Sequence, residues 1–300
     1  MGEKLGFVGL GAMGLPMTAV LAKGGAEMLV ADLSPEARAA AAAIEGVTAV
    51  ESHAAVAAGV ALLFTCLPNN AVTRSVYLDA GGIADAGSEG LVTIDCSTVS
   101  PSVTQEIHAA LAEKGISHLD ASMLGSVPQA ETGTIGFVVG GDRSAFDRAA
   151  PYLDRLGKHV RYAGPSGSGN RIKLIHQSLV AGHAVAVAEA LALCLATGTD
   201  IDTFYDIVCN GGGFAYSRYF EKRTPRMREG DFSPLFMLDL MAKDAGLAQD
   251  LARETGMETP LLDQVMAVFR RGQAAGLGTD DFSAVARLYE EAVGRRLAGS

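Results

Sequence analysis

The chain reads LGFVGLGAMGLPM over residues 5–17, a short apolar run followed by a glycine-rich turn and the start of a helical pattern. The turn fits the GxGxxG pattern of dinucleotide-binding folds and lies where that pattern requires it, between a strand and a helix. Its first glycine permits a tight turn, the second lets the backbone approach a pyrophosphate, and the third lets helix and strand pack closely. The free N–H groups at the start of the helix would then face the phosphates. We therefore predict that a dinucleotide binds at Gly9, Leu10, Gly11, Ala12, Met13 and Gly14.

An acidic residue further along supports this prediction. Asp32 follows the apolar run 28–31, and its distance from Gly14 is close to the spacing of about 20 residues expected for the acid that binds the ribose. A carboxylate there accepts hydrogen bonds from the ribose 2′-OH and repels a 2′-phosphate. Leu33 and the serine after it offer no guanidinium to grip such a phosphate, so the sequence favours NAD. Arg38, one helical turn later, leaves NADP open as the alternative.

Strand-like and helical runs alternate through the first half of the chain. The apolar strand-like runs lie at residues 5–8, 28–31, 60–66, 91–94, 116–119 and 135–139. Most are separated by helical stretches of about a dozen residues, which is typical of βαβ units. We therefore predict an α/β domain built on a parallel sheet.

The second half has a different character after the stretch GPSGSG at residues 164–169. A long and largely apolar helix is predicted over 170–197, and shorter helical patterns follow at 202–208, 236–255, 260–275 and 282–297. The sequence therefore predicts an NAD(P)-binding Rossmann domain over 1–163. An all-α domain for substrate binding and dimerisation, built around the long helix, would follow over 164–300.

Composition excludes several classes of protein. The 300 residues are 49% hydrophobic, which excludes disorder as the dominant state, and the net charge of −10 argues against nucleic-acid binding. The long apolar run after residue 173 contains several polar side chains, so a buried helix is favoured over a membrane span. We predict a cytoplasmic protein with reduced thiols and no metal site, because no CxxC or clustered metal-ligand spacing occurs among Cys66, Cys96, Cys194 and Cys209.

Five further segments, taken in order with the N-terminal turn, give the chain a recognisable pattern. They are Leu67-Pro68, DCST at 95–98, GSGNRIK at 167–173, Lys243-Asp244 and GLGTD at 276–280. The chain resembles the β-hydroxyacid dehydrogenase family over nearly its whole length. That family includes 3-hydroxyisobutyrate dehydrogenase and tartronate semialdehyde reductase, with 6-phosphogluconate dehydrogenase as a longer relative.

The resemblance implies roles for particular residues. Lys173 would be the general acid/base, and Gln177, one helical turn later, would hold the substrate or position the lysine. Further cofactor contacts would come from Leu67, Pro68, Thr98 and Lys243. Asp250 would contact the residues that bind the substrate rather than the substrate itself.

The substrate segment departs from the family pattern. Where the family usually has Asp-Ala-Pro-Val-Ser-Gly-Gly, this chain has DASMLGS over residues 120–126, and Leu124 stands at the serine position. Leu124 cannot donate a hydrogen bond, so we expect either a different substrate group or a substrate contact through Ser122, Gly125 or Ser126.

Two further positions carry open interpretations. His176 replaces the asparagine of closer relatives and is either a substrate contact, as the Lys-x-x-His-Asn pattern of the larger 6-phosphogluconate enzymes suggests, or a buried packing residue. Phe214, after three glycines, is either a wall of the substrate pocket or simple packing.

The favoured function is an NAD(P)-dependent oxidoreductase acting on CH–OH donors. It would transfer hydride between the nicotinamide and the alcohol or aldehyde carbon of a small β-hydroxyacid of the 3-hydroxyisobutyrate or 2-hydroxy-3-oxopropionate type. One alternative is an NADPH enzyme similar to imine reductases, which usually have Asp or Tyr in place of Lys173. Another is a non-catalytic, dehydrogenase-like binding module. Members of the family are commonly homodimers or homotetramers, and we expect the same here.

Overall fold

The computed structural model describes residues 3–299, and the chain divides after Lys173 into two compact units. Within the described part of the first unit, eight strands form one sheet. They are β1 (Leu5–Val8), β2 (Met28–Ala31), β3 (Val47–Ala49), β4 (Leu62–Thr65), β5 (Val92–Asp95), β6 (Ser117–Leu124), β7 (Ile135–Gly141) and β8 (Gly157–Gly164). Their order across the sheet is β3-β2-β1-β4-β5-β6-β7-β8.

Helices cover both faces of this sheet. They are α1 (Gly14–Lys23), α2 (Pro35–Ala42), α3 (His53–Ala58), α4 (Asn70–Leu78), α5 (Ile83–Ala86), α6 (Pro101–Ala112), α7 (Val127–Glu131) and α8 (Arg143–Leu156). Successive residues of β4 point to opposite faces, so Leu62 and Phe64 pack into one apolar core and Leu63 into another. Strands buried on both faces read as continuous apolar runs, which is why the sequence identifies them.

The sheet departs from the predicted parallel arrangement at one pair. β6 and β7 are antiparallel, whereas every other neighbouring pair in the described sheet is parallel. Antiparallel neighbours can be joined by a short connection, and only the short α7 lies between β6 and β7. The sequence pattern locates both strands but carries no signal for this change of direction.

The sequence also misses the two edge strands, β3 and β8. β3 is only three residues long. β8 has one buried residue, Gly157, and is otherwise partly buried or exposed, with exposed Lys158, His159 and Arg161. An edge strand with one solvated side lacks the continuous apolar run by which the central strands are recognised.

The described residues of the second unit, 174–299, form helices joined by loops. The helices are α9 (Ser168–Thr197), α10 (Ile201–Asn210), α11 (Arg218–Arg228), α12 (Leu238–Glu254), α13 (Pro260–Ala274) and α14 (Ala286–Val293). A 3₁₀ turn, Phe282–Val285, precedes α14. The sequence does not predict α11, because its segment RYFEKRTPRMR is strongly polar and contains a proline.

The long helix α9 is the core element of the second unit. Its side chains Leu174, Ala181 and Leu191 are fully buried in the apolar cluster that the other helices surround. Between residues 3 and 299, it is also the one helix long and apolar enough to cross a membrane by length and composition. Half of its most apolar window is buried inside the protein, as expected of a core helix.

The compact units and the predicted domain boundary do not coincide. The sequence predicts a boundary between residues 163 and 164, where β8 ends, whereas the compact division follows Lys173. The first turn of α9 therefore belongs to the same unit as the sheet. The functional boundary at residue 164 remains a prediction.

A buried histidine on β6 makes the fold sensitive to acid. The side chain of His118 is almost fully buried beside Thr93, and burial lowers its pKa to about 3, with a smaller contribution from His108. An unfolded histidine titrates near pH 6.5. The stability that His118 contributes is therefore present above pH 6.5 and is lost as the pH falls towards 3.

We expect the free energy of unfolding of the wild-type protein to fall by about 2 kcal/mol more than that of His118→Gln between pH 6.5 and 4.5. Urea titrations at several pH values measure this difference. Parallel curves for the wild-type and His118→Gln proteins would contradict the prediction.

Candidate active site

The glycine-rich turn between β1 and α1 has one tightly packed side and one open side. Gly9 has a φ of +94°, and a Cβ on Gly14 would overlap the carbonyl oxygen of Gly9. A Cβ on Gly11 would meet nothing within 4 Å. Gly11 and Ala12 are exposed and Met13 precedes the first helical residue, so the backbone at the head of α1 is open to a phosphate.

Asp32 lies directly against this turn. Its carboxylate accepts hydrogen bonds from the backbone N–H of Leu10 at 2.6 Å and from that of Ser34 at 2.8 Å. The structure thus brings together the two parts of the predicted dinucleotide site. Arg38 donates to the carbonyl oxygens of Asp32 and Leu33, at 2.7 and 3.3 Å, so its guanidinium is engaged with the backbone.

Hydrogen bonds connect the segments that follow β4 and β5. The backbone N–H of Leu67 donates to the Ser97 hydroxyl at 2.8 Å, and that hydroxyl donates to the buried carboxylate of Asp95 at 2.5 Å. Leu67-Pro68 and Thr98 therefore lie at the carboxyl ends of neighbouring parallel strands, where α/β sheets bind ligands. The sequence places Ser97 within the DCST segment but carries no signal for this connection.

Lys173 lies near the start of α9, within the first unit. Its side chain is only 8% exposed, and Nζ donates a hydrogen bond to the carbonyl oxygen of Met123 at 2.8 Å. Met123 directly precedes residues 124–126, the segment to which the family resemblance assigns the substrate. The fold therefore brings the predicted acid/base and the predicted substrate segment together.

Ser122 and Ser126, the two serines of the segment 120–126, both form hydrogen bonds with other protein side chains. Ser122 is fully buried, and its hydroxyl donates to Asn170 Oδ1 at 3.0 Å. The backbone N–H and the hydroxyl of Ser126 donate to Gln129 Oε1 at 2.9 and 3.0 Å, where Gly125 joins β6 to α7. A direct substrate contact by either serine would require these bonds to break, and it stays a prediction.

In the second unit, a buried carboxylate connects two predicted site residues. Gln177 Nε2 donates to Asp244 Oδ2 at 2.8 Å, and Lys243 Nζ lies 3.1 Å from Asp244 Oδ1. The sequence shows Asp244 only as the neighbour of Lys243 and does not predict its bond to Gln177. His176 is exposed and its Nδ1 lies 3.2 Å from Gln177 Oε1, which contradicts the interpretation of His176 as a buried packing residue.

Two other predicted residues lie on the surface of the second unit. Phe214 is fully exposed in the loop between α10 and α11. Asp250 is exposed on α12 and forms an ion pair with Arg253 at 2.5 Å. Among residues 3–299, no group of three or more His, Cys, Asp or Glu side chains is arranged to hold a metal ion.

Two family models match consecutive parts of the chain. The NAD-binding domain of 6-phosphogluconate dehydrogenase matches residues 4–164. The NAD-binding region of NADP-dependent 3-hydroxyisobutyrate dehydrogenase matches residues 167–289. The chain belongs to the β-hydroxyacid dehydrogenase family.

Individual relatives match along the whole length of this β-hydroxyacid dehydrogenase. It is 36% identical to 2-(hydroxymethyl)glutarate dehydrogenase of Eubacterium barkeri, over 99% of this chain and 98% of that protein. It is 33% identical to NAD-dependent L-serine dehydrogenase of Pseudomonas aeruginosa, over 98% of this chain and all of that one. A solved structure of Mycobacterium tuberculosis 3-hydroxyisobutyrate dehydrogenase with L-serine superposes with a TM-score of 0.88 at 31% identity, covering 96% of this chain and 99% of that chain.

These matches confirm the family, the Rossmann fold with a helical domain, and the enzyme class predicted from the sequence. The protein is an NAD(P)-dependent oxidoreductase acting on CH–OH donors. NAD agrees with the carboxylate of Asp32, and NADP remains the alternative cofactor.

Proposed function

We propose that this dehydrogenase transfers hydride between its nicotinamide cofactor and the alcohol or aldehyde carbon of a small β-hydroxyacid, with Lys173 as the general acid/base. The observation that carries the proposal is the position of Lys173 Nζ, 2.8 Å from the Met123 carbonyl oxygen and beside residues 124–126. In oxidation Lys173 would accept the hydroxyl proton, and in reduction it would return a proton to the developing alkoxide.

The residues around the glycine-rich turn fit a dinucleotide. The open space at Gly11 would accept the pyrophosphate against the start of α1, and Asp32 would accept hydrogen bonds from the ribose hydroxyls. Leu67-Pro68 and Thr98 would contact the cofactor along the edge of the sheet, and Lys243 would add a cationic contact. When bound, the nicotinamide supplies the hydride acceptor or donor.

The family resemblance assigns Gln177 as a substrate contact. Its amide nitrogen is engaged with Asp244, so the amide oxygen is the atom that can accept a hydrogen bond from a substrate hydroxyl. His176 lies beside that oxygen, and its exposed ring could contact the same substrate.

The names of two relatives support one substrate unit, whereas other relatives are named for L-threonate and 3-sulfolactaldehyde. 2-(Hydroxymethyl)glutarate and L-serine each have a CH₂OH group on the carbon that bears a carboxylate. We propose that this enzyme acts on the same unit, HO–CH₂–CHR–COO⁻. Leu124 replaces the family's hydroxyl donor beside this site, so we expect R and the carboxylate contacts to differ from those of 3-hydroxyisobutyrate dehydrogenase.

A panel of substrates with both cofactors tests this proposal. We expect reduced cofactor to form with 3-hydroxyisobutyrate, 2-(hydroxymethyl)glutarate or L-serine, and not with lactate, whose hydroxyl lies on the carbon next to the carboxylate. Reduction of a cyclic imine with NADPH, without hydroxyacid activity, would instead favour the imine reductase alternative. Tight NAD binding without turnover of any compound would favour a non-catalytic module.

The carboxylate of Asp32 should set the choice of cofactor. Asp32→Asn keeps the side chain's size and one acceptor oxygen for the Leu10 N–H but removes the charge that repels a 2′-phosphate. We expect the ratio of kcat/KM for NAD to kcat/KM for NADP to fall by roughly tenfold, equivalent to about 1.4 kcal/mol. Glu36→Gln, at an exposed carboxylate nearby, should leave the ratio unchanged. An unchanged ratio in Asp32→Asn would contradict the role of Asp32.

We also propose that the enzyme is a cytoplasmic homodimer or homotetramer. Ile175, Leu179 and Leu193 are exposed on α9, and a stripe of large apolar side chains on a core helix is typical of a subunit contact. We expect sedimentation at micromolar concentration to give a dimer or tetramer, and Leu179→Glu to shift the population towards monomer. A wild-type monomer at that concentration would contradict the proposal.

A further inference from the structure

We infer that Asn170 is a positioning residue for Lys173, holding the lysine's helical turn at a fixed place relative to the segment that follows Thr98. The inference rests on the proposed function of Lys173. Asn170 lies in the first turn of α9, three residues before Lys173, and belongs with it to the first compact unit. Residues three apart on a helix share a face, so fixing one side chain constrains the direction of the other.

The side chain of Asn170 connects three separate segments of the first unit. Asn170 is fully buried. Its Oδ1 accepts from the Ser122 hydroxyl on β6 at 3.0 Å and from the backbone N–H of Val99 at 3.3 Å. Its Nδ2 donates to the Thr104 hydroxyl on α6 at 3.1 Å. A buried amide with partners on both its oxygen and its nitrogen specifies one orientation, because any other orientation leaves polar groups unpaired.

The backbone of the same helical turn is held by β6. Asp120 accepts hydrogen bonds from the N–H groups of Asn170 at 2.8 Å and Gly167 at 2.9 Å, and Met123 accepts one from Lys173 Nζ. Burial raises the pKa of Asp120 to about 6, although these N–H groups act in the opposite direction. The strand therefore contacts the beginning of α9 at Asp120, Ser122 and Met123.

The hydrogen bond from the Val99 N–H distinguishes Asn170 from a residue that only attaches α9 to β6. Asp120 alone would attach the helix to β6. Asn170 also reaches the residue directly after Thr98, which the proposed function places against the cofactor. One side chain thus sets the spacing between the cofactor segment and the acid/base. Because a displacement of about 1 Å in a reacting group can cost 10²-fold in rate, this spacing matters for proton transfer.

The geometry also gives Ser122 a different role from the one expected from the sequence. Its hydroxyl has no exposed surface and donates to Asn170. Ser122 then affects the reaction through Asn170 rather than by contacting the substrate. A substrate contact would appear in KM for the hydroxyacid, whereas a positioning effect appears mainly in kcat.

A double-mutant cycle between Asn170 and Lys173 tests the inference. We expect Asn170→Ala to lower kcat by roughly 10–100-fold with a much smaller change in the Kd for NAD. Lys173→Met removes the group that Asn170 positions, so adding Asn170→Ala to Lys173→Met should not lower kcat further. Ser122→Ala should cause a smaller loss of kcat, with KM for the hydroxyacid unchanged, and should add little to Asn170→Ala.

A control variant in the same unit separates an effect on the stability of the protein from an effect on the position of Lys173. Tyr162→Phe removes a hydrogen bond of 2.9 Å to the Gly141 carbonyl oxygen without touching α9. It should lower Tm slightly and leave kcat per folded enzyme at the wild-type value. Rates are measured well below the Tm of each variant.

Each outcome bears on one claim. Wild-type kcat in Asn170→Ala, or losses that multiply with those of Lys173→Met, would overturn the positioning role. If Asn170→Ala does not fold, the same cycle with Ser122→Ala decides the question by the same criterion. Wild-type kcat in Lys173→Met would instead overturn the proposed function, because that variant alone tests the acid/base.

Discussion

Lys173→Met is expected to lower kcat for hydroxyacid oxidation by roughly 10²–10⁴-fold, the range typical of a lost general acid/base. The methionine is unbranched and nearly as long, so it can fill the space of a lysine that is only 8% exposed. It cannot exchange a proton, and it cannot donate to the Met123 carbonyl oxygen as Nζ does. The fold and the glycine-rich turn should be unaffected, so NAD should bind with nearly wild-type affinity.

Steady-state rates, fluorescence titration with NAD and a thermal melt measure these three properties. Lys158→Met is a matched control, because Lys158 is an exposed lysine on the edge strand β8 of the same unit. It should leave kcat unchanged. A Lys173→Met enzyme with wild-type kcat and a wild-type melt would exclude Lys173 as the acid/base.

Two alanine substitutions in the glycine-rich turn should affect different properties. Gly14→Ala should lower the stability of the protein, and Gly11→Ala should lower its affinity for NAD. In Gly14→Ala, the new Cβ would overlap the carbonyl oxygen of Gly9 and lie 2.9 Å from Phe7 Cε1. Backbone at a tight turn cannot move aside cheaply, so we expect a loss of roughly 3 kcal/mol in the free energy of unfolding, at the upper end for overpacked sites.

Gly11→Ala should instead preserve stability and weaken NAD binding. Its Cβ would meet no protein atom within 4 Å, and it would occupy the open side of the turn that we assign to the pyrophosphate. We expect at least a roughly tenfold increase in the Kd for NAD, about 1.4 kcal/mol. Urea unfolding and NAD titration of both variants measure the contrast. Unchanged NAD affinity in Gly11→Ala would place the pyrophosphate elsewhere.

Local patterns account for the parts of the fold that the sequence predicts. A strand buried on both faces is apolar throughout, and GxGxxG with Asp32 is a spacing rule within one βαβ unit. The antiparallel pairing of β6 and β7 and the solvated edge strand β8 depend on which neighbours are available in three dimensions. Single-chain patterns carry little of that information, so both were missed.

The candidate site likewise contains residues that local patterns identify and contacts that depend on three-dimensional packing. Lys173 is recognised because it belongs to a segment that resembles the family's. The partners of Ser122 and Gln177 depend on where side chains point after packing, and the sequence does not specify them. Asn170 reads as one polar residue in GSGNRIK. Arg171, Lys173 and His176 follow it in the same helix, so the sequence does not single out Asn170 as a buried amide.

The compact division after Lys173 has an evolutionary consequence. The glycine-rich turn, Asp32 and Lys173 are inherited within one compact block, whereas Gln177 and the exposed loop with Phe214 belong to the other. Mutations at exposed positions of the second block can accumulate without disturbing the packing that holds the lysine. Leu124, where the substrate segment departs from the family pattern, lies in the same block as Lys173, so a change of substrate can also arise beside the lysine itself.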